Sequence, residues 1–169
     1  MKFWPFLIAI VCAQLELSCA RGWYGAPTEA AKLGKRRVCL DVPGNKRADL
    51  LPAIAAWNHA LNGKMTLVED PEACDLYVVE MVHPPCDPSA VACADKIGGS
   101  VIYLYPGRYE KHASEVMAHE IGHTLGAQHV EGTLMAPTVS NWECPDVTTM
   151  AQVSAYQHWN LTELRWCAL

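Results

Sequence analysis

The sequence predicts an α+β domain built on one twisted, mixed and mostly parallel sheet of four to five strands, with a helix carrying the chemistry, a second packing helix and a C-terminal helix. Three observations carry that expectation. Short β-rich runs recur at 36–42, 65–70, 74–82 and 100–105, bounded by turn-forming residues. Two longer stretches carry apolar residues at helical spacing. The resulting order β, α, β, β, (β), β, α, α contains no repeat and no low-complexity segment.

Taken in order, residues 1–20 read as a secretory signal peptide: Lys2, an apolar run from Phe3 to Ala13 too short to span a bilayer, then small residues at two cleavage points, after Ala13 and after Ala20. Lipidation of Cys19 is the alternative, although Glu16 stands where an aliphatic residue is usual. Residues 21–35, with Gly22, Gly25, Pro27 and Gly34, form an irregular lead-in, and 36–169 form the folded domain. The run RRVCLDV (36–42) is a strand stopped by PGN. Leu50, Ile54, Trp57 and Leu61 then make one helical stripe, closed by Asn62 and Gly63, with Pro52 expected in the first turn. Two more strands (65–70 and 74–82), a Pro- and Gly-rich loop with a short edge strand near Val91 to Lys96, and a strand at 100–105 follow. A helix from about Tyr109 or Ser114 carries Met117, Ile121 and Leu125 as its core stripe, and a last helix at 145–159 is capped by Asp146 or Thr148. Trp57, Tyr156 and Trp159 read as core packing.

Thirteen Lys and Arg against eighteen Asp and Glu give a net charge of -5 with no basic run, which excludes the electrostatic footprint of a nucleic-acid binder. Eight cysteines in an exported chain point to disulfides. Cleavage after Ala20 leaves six, which allow fifteen connectivities; the short loop between them points to Cys86 with Cys93, and Cys144 with Cys167 and Cys39 with Cys74 would complete the set.

The stretch HEIGHTLGAQH (119–129) concentrates three of the seven histidines. On a helix, His119 and His123 lie on one face, a turn apart, and can share a metal. Glu120 is rotated by about 100°, near enough to reach a water on that metal without being a ligand. An unbroken helix would carry His129 about 15 Å beyond His119. The helix must therefore stop and fold back, and Gly126 is placed to do so by taking a left-handed conformation at little steric cost. Three neutral imidazoles and one water make a four-coordinate catalytic zinc, with Glu120 as general base for peptide hydrolysis. Background usage makes the five fixed positions an accident on the order of one in ten thousand or less, so unrelated surface histidines are set aside.

HEIGHTLGAQH matches HExxHxxGxxH in full and GTLMAP follows it, so the chain resembles the metzincin clan of zinc metalloendopeptidases, most closely its matrixin-like members. The resemblance covers about residues 36–160 and extends to IGGSVIYLYPG, similar to the last strand of matrixin-like domains. It implies a zincin-like fold, one catalytic Zn²⁺ on His119, His123 and His129, and Met135 in a tight turn beneath the metal. Pro137, two residues on, stands where some metzincins carry a tyrosine ligand. It further implies a protein or peptide substrate lying as an extended strand against Ala92 to Lys96, with PTVSNW (137–142) walling the pocket beyond the scissile bond. A further structural Zn²⁺ or Ca²⁺ around His83, Asp87 and Asp95 is the weaker implication.

The expectation is thus a secreted, monomeric, disulfide-bonded zinc metalloprotease, extracellular, or periplasmic or on the outer surface if Cys19 is lipidated. A zinc-bearing recognition module without catalysis, and a zinc amidase acting on cell-wall peptides, are the alternatives.

Overall fold

Along β1 (Arg36–Asp41), Arg36, Val38 and Leu40 are buried while Arg37 and Asp41 are exposed, an alternation interrupted only by Cys39, which is buried on the other face where it is disulfide-bonded to Cys74. That alternation fixes one inner face of a sheet. The computed structural model describes residues 36–138 and 144–157. The expected signal peptide, the lead-in, Cys19, Cys167, Trp159 and most of PTVSNW lie outside the described residues.

The same alternation runs through β2 (Met65–Leu67), β3 (Leu76–Glu80) and β5 (Val101–Leu104), and parallel pairing puts Leu40 beside Val78 and Val78 beside Ile102 in one apolar row. The sheet order is β2-β1-β3-β5-β4, parallel except for β4 (Ala92–Ala94), which runs antiparallel to β5 at the edge. The expected mixed, mostly parallel sheet is present with five strands.

Helix α1 (Gly44–Ala60) links β1 to β2 and packs against α2 (Ala113–Thr124). Its stripe of Leu50, Ile54 and Trp57, with Leu61 at the C-cap, is buried, each aliphatic side chain contributing about 1.5–3 kcal/mol. The Trp57 indole N–H donates to the Ala118 carbonyl at 2.8 Å, tying the helices at mid-length. One expectation is corrected: Pro52 lies inside the helix, because α1 begins at Gly44 rather than near Ala48. Proline removes the bond to the Ala48 carbonyl. Both residues are exposed, so water can take that place, and the buried stripe carries the helix through. Asn62 and Gly63, both with positive φ, close it as expected.

Two of the expected disulfides are present. Cys39–Cys74 joins β1 to the segment entering β3, and Cys86–Cys93 fastens the preceding loop to β4, with Cα separations of 5.7 and 6.4 Å. Cys144 is disulfide-bonded as well. Lys46 in the first turn of α1 meets Glu80 at 2.8 Å and Glu110 at 2.7 Å, and the buried Tyr109 hydroxyl donates to Glu80, so the end of β3 and the entry to α2 are held together. Helix α3 (Val147–Gln157) is capped by Asp146, whose carboxylate accepts the amides of Thr148 and Thr149. Among the described residues, no helix is long and apolar enough to cross a membrane.

Candidate metal centre

Helix α2 buries Met117, Ile121 and Thr124 along one face, which leaves His119 and His123 together on the other. Gly122, between them, has a role that its place in the motif did not disclose. A Cβ there would overlap the Met135 sulfur, so the missing side chain is what lets Met135 pack directly on the helix.

The helix ends in a Schellman reversal: the Ala127 amide donates to the Gly122 carbonyl at 2.9 Å and the Gly126 amide to that of His123 at 3.0 Å. Gly126 has φ +102°, as the expected fold-back requires. A second constraint acts there, since the Tyr156 ring occupies the space a Cβ would fill. The last carbonyls of α2 are satisfied from three other elements. Gly98 N–H donates to His123, the buried Arg36 guanidinium to Thr124, and the Gln157 amide to Leu125.

The reversal brings His129 back. Its Nε2 lies 3.2 Å from Nε2 of His119 and 3.1 Å from Nε2 of His123. The other ring nitrogens of the first two point at carbonyls, His119 Nδ1 at Leu134 and His123 Nδ1 at Ala127, each at 2.9 Å. A carbonyl only accepts, so Nδ1 carries the proton and Nε2 turns a lone pair inward. Burial lowers the pKa of all three rings, of His123 to about 3, which favours the neutral form that a metal needs. The His119 and His123 lone pairs converge on the His129 Nε2, and nitrogens held at about 2.0–2.1 Å from a tetrahedral zinc would sit at about this spacing. The donor set fits the ion. It is the one such group among the described residues.

Beneath the cluster, Thr133 to Ala136 form a turn in which the Ala136 amide donates to the Thr133 carbonyl, and Met135 is fully buried. The turn presents the Leu134 carbonyl to His119, while the Leu134 amide donates to Asp146 at 3.0 Å. Pro137 follows the turn, exposed. Glu120, next to His119, is buried at 7% exposure, and its Oε2 accepts the Ala94 amide of edge strand β4 at 2.7 Å. Burial pushes its carboxyl up to about 7, against the pull of that amide.

His83, Asp87 and Asp95 are not gathered into a second ion site among the described residues. Their carboxylates serve local backbone instead: Asp87 accepts from Ser89, and Asp95 from the amides of Ser100 and Val101. Sequence reasoning missed Arg36, Gly98, Gly122 and Gln152, whose parts depend on distant elements. The sequence marks Asp146 as a helix cap but not its tie to the turn. Compared with known proteins, the chain matches no family model and no curated protein. Its helix-borne pair and returning third histidine are compatible with a zincin-like site.

Proposed function

We propose that the chain is a secreted zinc-dependent endopeptidase of the metzincin kind, with His119, His123 and His129 as the ligands and Glu120 as general base. The observation that carries this reading is the convergence of three inward-facing Nε2 atoms on one side of α2, one residue from a buried carboxylate tied to an edge strand. Zinc held there would polarise a scissile carbonyl and acidify a coordinated water.

The chain's own groups supply the rest. Glu120 can take a proton from the attacking water and pass it to the leaving amine. Flanking β4, Val91 and Asp95 spend backbone groups on β5 and the residue after it, which turns those of Ala92 and Ala94 the other way: the Ala94 amide holds Glu120, and the edge, unpaired with any strand among the described residues, suits a substrate added as a strand. Strand and base are thereby in register. The disulfides support an oxidising compartment, hence secretion.

Replacing Glu120 by Gln keeps the side chain's shape and removes the base. The E120Q protein should bind zinc as the wild type does while losing at least about a hundredfold in casein or gelatin hydrolysis, and the wild-type digest should stop on adding a chelator. Undiminished hydrolysis by E120Q would end the mechanism. A wild type that binds zinc and cuts neither protein nor peptidoglycan would favour a recognition module, and peptidoglycan cleavage alone an amidase.

A further inference from the structure

Helix α3 meets the ligand-bearing segment at four places. Asp146 accepts the Leu134 amide, Gln152 Oε1 accepts the Gln128 amide at 2.9 Å, the Tyr156 ring lies against Gly126, and the Gln157 side chain donates to the Leu125 carbonyl at 3.2 Å. Gln152 and Tyr156 stand four residues apart, so they share one face of α3 a turn apart. Together they grip the chain on both sides of the fold-back: Tyr156 at its hinge, Gln152 at the residue immediately before His129.

The Tyr156 contact has a built shape. Its ring runs from Gly126 to Gly98, and a Cβ on either glycine would overlap it, at Gly126 near the ring's root and at Gly98 near its hydroxyl. Both glycines have positive φ and lie at the end of α2, where the Gly98 amide also bonds to the His123 carbonyl. The hydroxyl itself is buried and has no hydrogen-bond partner among the described residues, so the fit of the ring makes the contact.

We propose that α3 is a brace that sets the metal affinity of the histidine cluster, with Gln152 and Tyr156 as positioning residues for His129. The proposal rests on the reading that the three histidines hold zinc. His119 and His123 are spaced by their own helix, whereas the third ring arrives on a segment fixed from outside. Loosening the brace therefore weakens metal binding before it unfolds the domain.

The test uses the full chain, with zinc affinity measured by competition against a chromogenic chelator, the visible spectrum of the Co²⁺-loaded protein, and melting of the metal-free protein. Gln152→Leu should raise the zinc Kd about tenfold and alter the cobalt bands, while the metal-free melting point stays close to wild type. Gln152→Glu keeps the accepting oxygen and should restore wild-type affinity. Tyr156→Phe should change nothing, and Tyr156→Ala should raise Kd by about ten- to a hundredfold. A folded Gln152→Leu protein with wild-type affinity and an unchanged cobalt spectrum would overturn the brace while leaving the zinc site standing. Gln152→Glu as weak as Gln152→Leu would also overturn it. A wild type that takes up no zinc would overturn the brace and the metal reading together.

Discussion

His119 and His123 share a helix whose own hydrogen bonds set their spacing, whereas His129 lies in a segment that takes its place from α3, from the Gly126 reversal and from the turn at Thr133–Ala136. The first half of the cluster is a local product of sequence. The second half is a tertiary product, and its weak points are residues that never approach a metal. The two halves should therefore respond differently to substitution.

The largest expected effect is at the junction between them. Gly126→Ala forces a side chain into a left-handed backbone and into the Tyr156 ring at once. Strain and overlap together should cost about 2–4 kcal/mol in denaturant unfolding. Any folded fraction should lose tight zinc binding, because His129 no longer returns. A Gly126→Ala protein with wild-type stability and affinity would break the distinction between the halves.

A smaller effect belongs to Asp146, which caps α3 and holds the Leu134 amide, and so acts only on the tertiary half. Asp146→Ala should cost about 1–2 kcal/mol, read from urea melts. Partial burial would raise the Asp146 pKa, but donors from Thr149 and Leu134 outweigh it and hold the group below its ordinary value of 3.8. A carboxyl depressed in the folded state stabilises the fold above its unfolded pKa, and that contribution is lost as pH falls through the folded one. The wild-type advantage over Asp146→Ala should thus be full at pH 6 and shrink below about pH 4. An advantage that grows on acidification would show that the sign is wrong.

The same division explains what could be read in advance. The strands, the buried stripe of α1, the Asp146 cap and the helix-borne histidines follow from periodicity and local chemistry, and the structure has them. The fold-back at Gly126 was legible because reach alone forbids a third ligand on a straight helix. What was not legible lies between distant elements. Arg36 reads as a charged strand residue, yet it is 1% exposed and caps the end of α2. Gly122 reads as an unconstrained position between two histidines, yet it seats Met135. Pro52 reads as a first-turn residue, but the helix runs past it because the buried face outweighs one lost hydrogen bond. The short loop between them makes Cys86 and Cys93 a legible pair, whereas Cys39–Cys74 follows in the sequence only as a pair that completes the set; both are present, and folding alone shows how the latter ties β1 to the approach to β3.

The proposed function depends on three imidazoles meeting at one metal. X-ray absorption at the zinc edge of the purified, metal-loaded protein tests that directly. The account predicts one zinc per chain with three imidazole nitrogens and one further light atom at about 2.0–2.1 Å, falling to two imidazoles in a His129→Ala variant. A protein that takes up no zinc, or a first shell unchanged by His129→Ala, would contradict it.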